Sequence, residues 1–330
     1  MATTTQTLAS QLSNLSNKLL IYYLAPIYVF GTLGNILNII IFLRRNLRSS
    51  ACSQYFICMS IAQIILFNAA AINRTIALLI GYDLSTTVNT LCKLRIYFYL
   101  SSLGIMRQCL CLISIDRWII TTKSASIRKF SSLRNVRWLI IGSTLFWILY
   151  SIHTLIGYQL SPPRGCTNLA DPSYSLFYAI QIIISASLTW IIMIVFSMLT
   201  LRNVRSSRRT QIVTQNTGNT TAVPSNTPQS IHQRRREMQL IKLSLIQVIS
   251  YILLCTIASA YPLYMFITSS EKKSSNQTAI ESFLTTVGLL LLYTYSAITF
   301  LIYTLVSNTF RKELLLMCQQ VFTYMTRLLF

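Results

Sequence analysis

Long runs of apolar residues without any charge follow one another along most of this chain. Six such stretches, each of 25 to 30 positions, are 19–43, 49–73, 138–163, 172–201, 243–270 and 282–310. A helix needs about 20 apolar residues to cross the hydrocarbon core of a bilayer. Each stretch is therefore predicted to be a membrane-spanning helix.

A seventh span is predicted at 96–115, although Arg107 interrupts it. A single charge is tolerated in a span when it faces the interior of a helix bundle rather than lipid. The pattern predicts an all-α membrane protein whose seven transmembrane helices form a bundle at 19–306. The remaining segments are expected to be an extracellular tail at 1–18, a flexible cytoplasmic loop at about 203–236, and a short amphipathic eighth helix with the cytoplasmic tail at 307–330.

The composition and the charge distribution agree with this topology. Of 330 residues, 53% are apolar and only 11% are charged, whereas globular proteins carry about a quarter charged residues. With the amino terminus outside, 20 of the 28 Lys and Arg residues fall on the inner side, where short cytoplasmic loops retain basic residues. We expect a multi-pass plasma-membrane protein with a cytoplasmic carboxyl terminus. The net charge of +21 then reflects topology, and attraction to the anionic membrane lipids of the inner leaflet is a side effect. No nucleic-acid partner is expected.

Three kinds of covalent modification follow from this orientation. Cys92 and Cys166 are the two cysteines on the predicted outer face, where oxidising conditions favour a disulfide. Glycosylation sequons at Asn14 and Asn276 also lie outside. Cys318 follows the last span beside basic residues, which makes it a candidate for palmitoylation.

The third span carries a pattern of residues that is similar to one known family. An outer cysteine, a span that ends in Asp116-Arg117-Trp118 and a second cysteine in a later outer loop resemble the rhodopsin-like G-protein-coupled receptors. The resemblance runs from Gly34-Asn35 to Phe310-Arg311. It implies a cell-surface receptor that binds an extracellular ligand and activates a heterotrimeric G protein. It also implies that Asp116 holds Arg117 in the resting state.

Two further residues are assigned to the same switch by the resemblance. Glu237 stands at the inner start of the sixth span and is similar to the family's second restraint on the arginine. Tyr303 keeps the tyrosine of the family's seventh-span motif, although the preceding Asn and Pro are replaced in Thr299-Phe300-Leu301-Ile302-Tyr303.

The second and third spans depart from the family in their polar residues. Gln63 stands where the family usually has the aspartate that binds sodium, so we expect no regulation by sodium. Arg107 must find acceptors at membrane depth, since an unpaired charge there costs at least a few kcal/mol. Gln63, or hydroxyls and carbonyls of neighbouring helices, are the expected acceptors. Arg107 either braces the helices or biases the equilibrium between resting and active states.

The ligand side is expected to be basic and aromatic. Tyr99 stands where amine receptors of the family carry an aspartate, which argues against an amine ligand. A pocket for a peptide is predicted from Arg95, Tyr99, Tyr261, Tyr264 and Tyr293. An interfacial aromatic belt is the alternative role for these tyrosines. The run 198–205 resembles invertebrate neuropeptide receptors of the FMRFamide-like group.

Two other classes of protein are the alternatives to a receptor. An enzyme would need paired acids, a metal cluster or a nucleophile with its base, and no acid is predicted inside any span apart from Asp116 at its inner end. No catalytic residue, metal or cofactor is therefore expected. A transporter or channel for a small anion is the stronger alternative, because Arg107, Gln63, Asn68 and Asn73 could line an anion path.

Overall fold

Eight long helices account for most of the chain. The computed structural model describes residues 7–73, 75–76, 81, 87–161, 165–168, 171–216, 228–268 and 271–329. Within these ranges, seven helices are long and apolar enough to cross a membrane. The predicted seven-helix bundle is confirmed, and an eighth helix follows it.

The helices are numbered here in chain order. Their bounds are α1 Leu8–Phe42, α2 Ala51–Ala71, α3 Asn89–Thr121, α4 Leu133–Gly157, α5 Pro172–Asn216, α6 Pro228–Ile267, α7 Ser275–Val306 and α8 Asn308–Leu329. Single π-helical turns occur in α1 at Leu20–Leu24 and in α2 at Phe67–Ala71. A small antiparallel hairpin, which the hydropathy pattern did not predict, pairs β1 (Gln159–Ser161) with β2 (Gly165–Thr167).

Several boundaries differ from those that the uncharged stretches predicted. Helix α1 begins inside the predicted tail, at Leu8. The predicted flexible loop at 203–236 is wrong at both ends, because α5 continues to Asn216 and α6 begins at Pro228. The residues 217–227 between them lie outside the described part. Charge marks where a chain leaves the apolar layer, but a helix continues into water as long as its backbone bonds are kept.

Helix α3 lies at the centre of the bundle. It contacts α2, α4, α5 and α6. In its most apolar stretch 72% of the residues are buried, whereas the figure for α4 is 11%. Gly104 permits the close approach of α3 and α4, since a Cβ at this position would come within 2.3 Å of the Trp147 ring. A larger residue would push the two helices apart.

The outside of the bundle is apolar and suits a lipid environment. Large apolar side chains are exposed on several helices, among them Leu149, Leu188, Leu253 and Leu305. Exposure of this extent would be unfavourable in water but is expected where acyl chains replace water. We call the two ends of the bundle the Arg117 end and the disulfide end, after the residues that mark them.

Candidate functional site

The Arg117 end holds a buried cluster of charges in the last turns of α3. Helix α3 carries Arg117 into the bundle, and its side chain is only 1% exposed. One terminal nitrogen of its guanidinium donates to Asp116 Oδ2. The other donates to Glu237 Oε2 of α6 across 2.9 Å. A single arginine thus links the end of α3 to the third turn of α6, which begins at Pro228.

Asp116 is itself fixed by a second contact. Its other carboxylate oxygen, Oδ1, accepts a hydrogen bond of 2.5 Å from the Ser131 hydroxyl, which lies in the connection between α3 and α4. Removing one partner from a buried ion pair costs about 3–5 kcal/mol, because an uncompensated charge is left behind. The buried pair with Asp116 therefore fixes Arg117 at the end of α3, and the bond to Glu237 ties α6 to it.

The remaining residues of the predicted switch, Trp118 and Tyr303, pack against aromatic rings. Trp118 packs edge to face on Phe196 of α5, with the ring centroids 5.3 Å apart. Tyr303 of α7 is fully buried and packs on Phe42, Phe56 and Phe310. Its hydroxyl has no hydrogen-bond partner among the described residues. The contacts place α1, α2, α7 and α8 around this one ring.

Helix α8 is fastened to the same end of the bundle by a buried acid. Glu313 accepts hydrogen bonds of 2.6 Å from Arg44 Nε and from Asn46 Nδ2, both beyond the end of α1. On the opposite face of α8, Leu315, Phe322 and Met325 are exposed. This apolar face is suited to lie against lipid. Helix α8 has 22 residues, so it is longer than the short helix predicted.

Arg107 lies inside the bundle, and its partners decide between the two predicted kinds of acceptor. It is 6% exposed and donates to Tyr251 of α6 through Nε at 3.0 Å. Its two terminal nitrogens donate to Ser185 of α5 at 3.3 Å and to Ser259 of α6 at 3.5 Å. The hydroxyl alternative is therefore the one observed, and Gln63 is not among these partners.

Gln63 belongs instead to a buried polar cluster between α1, α2 and α7. Its Oε1 accepts from the Thr299 hydroxyl at 3.4 Å. Asn35 donates to the backbone carbonyls of Gly31 and Ser296, and Asn38 donates to Thr299. Each of these contacts is between neutral groups, so the cluster offers only neutral oxygens to a cation.

The residues that could line an anion path do not come together in one place. Asn68 donates to the carbonyl of Ile64 and accepts from Tyr28, while Asn73 donates to the carbonyl of Ala69. Arg107 points toward α5 and α6 rather than toward these groups. The four residues that suggested a channel therefore serve separate contacts.

At the disulfide end, Cys92 and Cys166 form the predicted bond, which joins residues 74 positions apart. Cys92 lies in the first turn of α3 and Cys166 lies in β2. The bond thereby fixes the hairpin over the top of α3, and the prediction is confirmed. Asn89 adds a second link, since its side-chain oxygen accepts from the backbone N–H of Leu160 in β1.

The residues predicted for a ligand pocket fall into two groups. Tyr261 and Tyr264 of α6 lie together, with ring centroids 6.3 Å apart. Tyr293 of α7 is buried and packs on Phe67 at 6.0 Å, and Tyr99 packs against the same apolar cluster. Arg95 is half-buried in α3, one turn after Cys92.

A buried acid at the disulfide end was missed by the sequence reasoning. Glu281 accepts a hydrogen bond of 2.9 Å from Lys273 and one of 3.0 Å from the Tyr264 hydroxyl. The hydrogen bond to Glu281 raises the pKa of Lys273. Glu281 lies inside α7, because this helix begins at Ser275, ahead of the uncharged stretch. The prediction that Asp116 is the one acid in a span was therefore wrong.

The predicted modification sites are on the surface. Asn14 lies in α1 and Asn276 in the first turn of α7, and both are exposed. Cys318 of α8 is an exposed free cysteine. Within the described ranges, no group of three His, Cys, Asp or Glu side chains has the arrangement of a metal site.

Seven membrane-length helices around a central α3, with a disulfide at one end and a buried arginine at the other, define the class of heptahelical membrane receptors. Residues 34–303 match the family model of the 7 transmembrane receptor (rhodopsin family). The match covers most of the chain, so the chain belongs to this family of G-protein-coupled cell-surface receptors. No curated protein matches the chain, and the resemblance of 198–205 to the FMRFamide-like group gains no support from these comparisons.

Proposed function

We propose that this receptor recognises an extracellular peptide at the disulfide end and activates a heterotrimeric G protein at the Arg117 end. The observation that carries the coupling half of the proposal is the bond from Arg117 to both Asp116 and Glu237. A G protein needs a site between the helix ends, and this bond keeps α3 and α6 together. Release of Arg117 from Glu237 opens that site and frees a cation for the partner.

Arg107 connects the two ends of the receptor. Tyr251, which accepts from Arg107, packs edge to face on Tyr295 of α7 at 5.2 Å. Tyr295 in turn donates to Gln247 of α6 across 2.8 Å. A shift of α6 at the disulfide end therefore changes the partners of Arg107 before it reaches Glu237. Coupling of this kind needs contacts that differ between two states.

One feature of the disulfide end supports a peptide ligand. Glu281, Lys273 and Tyr264 together present groups of both charges and a hydroxyl, which suits a ligand with amides and both signs of charge.

The peptide proposal is tested with tissue extracts on cells that express the receptor. Activity of an extract should disappear after digestion with a broad-specificity protease. Once an active peptide is purified, Glu281→Gln should lower its potency about tenfold, as expected for loss of a charge-assisted hydrogen bond. Glu271→Gln is the matched control, since Glu271 is exposed in the same outer connection. An extract whose activity survives protease contradicts a peptide ligand.

The orientation completes the proposal. With the disulfide end outside, the amino terminus is extracellular and the carboxyl terminus cytoplasmic in the plasma membrane, as the distribution of Lys and Arg favours. Asn14 and Asn276 are then glycosylated, and Cys318 on α8 is palmitoylated. An antibody to an amino-terminal tag should stain intact cells, while one to a carboxyl-terminal tag should require permeabilisation. The opposite staining contradicts the orientation.

A further inference from the structure

A cavity of about 460 Å³ lies between α3, α4 and α5. Arg107 lines it, and the bond from Arg107 to Tyr251 leads away from it toward α6. Its volume is within the range of small-molecule sites, about 300–1,000 Å³. Most of its wall is apolar. The polar groups that line it include Arg107, Gln181 and Ser185.

The cavity is open to the membrane side of the bundle. Ile184, Leu188 and Phe146 line it and are exposed on the outer surface of α5 and α4. That surface faces acyl chains when the receptor is embedded. A ligand therefore enters from the bilayer and must be largely apolar.

The polar groups inside the cavity have unused hydrogen-bonding capacity. Gln181 is only 8% exposed, yet neither its amide oxygen nor its amide nitrogen has a partner among the described residues. Trp147, in the opposite wall, has an indole N–H without a partner in the same part of the chain. An unsatisfied buried polar group costs about 1–3 kcal/mol in general, so such groups commonly mark the place of a ligand or of ordered water.

The charge in the cavity selects an anion. Arg107 bonds to three hydroxyls and, among the described residues, to no acid. A guanidinium has five N–H donors, and these three bonds use three of them. Carboxylates accept from guanidinium groups in two parallel bonds. We propose that this cavity binds a long-chain carboxylic acid from the bilayer, with its carboxylate on Arg107 and Gln181 and its chain along the apolar wall.

The depth of Arg107 favours a free acid over a phospholipid. Arg107 lies ten residues from Arg117 along α3, or about 15 Å at 1.5 Å per residue. This places its guanidinium within the apolar layer, whose full thickness is about 30 Å. A phosphate headgroup remains at the interface, whereas a carboxylic acid reaches this depth in its neutral form.

The test uses the full-length receptor in lipid nanodiscs and a photoreactive palmitic acid that carries a diazirine and an alkyne. After irradiation, labelled peptides are located by mass spectrometry. Labelling should map to the cavity walls in α3, α4 and α5. Oleate should displace the probe about tenfold more effectively than oleyl alcohol, which has the same chain and no charge.

Variants of α5 distinguish binding of the probe in the cavity from its adsorption to the outer surface of the helix. Ile184→Trp fills the cavity and should abolish the labelling. Ile191→Trp is the matched control, because Ile191 is equally exposed, at 57% against 53%, but does not line the cavity. Gln181→Leu, which keeps the volume and removes the amide, should weaken displacement by oleate about tenfold. Ile184, Ile191 and Gln181 are not hydrogen-bond partners of Arg107, whose bonds go to Tyr251, Ser185 and Ser259.

Three results would overturn the proposal. Labelling that persists in Ile184→Trp shows that the probe binds elsewhere. Equal displacement by oleate and oleyl alcohol shows that Arg107 does not select the headgroup. Displacement by phosphatidate as effective as by oleate shows that a two-chain lipid occupies the cavity instead.

Discussion

Arg117 of α3 and Glu237 of α6 are joined by an ion pair of 2.9 Å at one end of the seven-helix bundle. The arginine is fully buried, whereas the side chain of Glu237 is 25% exposed. The acid is thus the accessible partner of the pair. A protein that approaches this end can displace Glu237 without first unpacking the core.

Replacing Glu237 by Gln should raise basal signalling. The change keeps the size of the side chain but removes one of the two charges that hold Arg117. A partly exposed pair contributes about 1 kcal/mol, which corresponds to about a fivefold change in the population of the open state. The measurement is second-messenger level without ligand, at matched surface density. Glu271→Gln is the control, and an unchanged basal level in Glu237→Gln would show that this pair is no restraint.

Loss of the Tyr251 hydroxyl should destabilise the receptor. Tyr251→Phe keeps the ring contact with Tyr295 but leaves the Nε–H of Arg107 without its acceptor. We expect a loss of about 1–3 kcal/mol in stability, measured as a lower unfolding temperature in detergent. Tyr22→Phe is the control, because Tyr22 is highly exposed. Equal unfolding temperatures for the two variants would contradict the bonding assigned to Arg107.

The two roles left open for Arg107 are distinguished by Arg107→Leu. If Arg107 only braces α3 against α5 and α6, surface expression falls and basal signalling per receptor is unchanged. If it biases the resting and active states, basal signalling changes at matched surface density. The connection from Arg107 through Tyr251 and Tyr295 to Gln247 favours the second outcome. Unchanged basal signalling per receptor would assign Arg107 the role of a brace.

Features that depend on the order of residues along the chain could be predicted from the sequence, whereas contacts between side chains of different helices could not. The number of spans and the position of Arg117 at the inner end of the third span followed from the pattern of charges along the chain. The Cys92–Cys166 bond followed from the predicted side of the membrane on which the two cysteines lie. The partners of Arg107 did not, because many hydroxyls occur in the apolar spans and only the packing of α5 and α6 decides which are near. Glu281 was missed for a related reason, since its pairing with Lys273 lets a charge enter the end of a helix.

Sodium should have no effect on this receptor. The cluster of Asn35, Asn38, Gln63 and Thr299 provides neutral oxygens only, and a buried cation requires a compensating charge. The unfolding temperature should be the same in NaCl and in KCl of equal ionic strength. Gln63→Asp supplies the carboxylate and should create a sodium-dependent rise. A sodium-dependent rise in the unmodified receptor would contradict this reading of the cluster.

Removal of the disulfide should lower the folding yield. The bond closes a segment of 74 residues. A closed loop of this size lowers the entropy of the unfolded chain and stabilises the folded state by about 4 kcal/mol. Cys92→Ser, Cys166→Ser and the double variant should show the same loss of surface expression, because each removes the same bond. Cys318→Ser is the control with an exposed free cysteine. A greater loss in the double variant would show that the two thiols act separately.

Nucleotide exchange with purified components tests the central claim most directly. The receptor in nanodiscs is mixed with each class of heterotrimeric G protein, and binding of a non-hydrolysable GTP analogue is followed for Glu237→Gln and for the double variant Glu237→Gln, Arg117→Ala. If Arg117 is the group that Glu237 restrains and that the G protein uses, Glu237→Gln exchanges faster than the unmodified receptor and the double variant falls to the rate without receptor. Fast exchange that persists in the double variant would contradict the account.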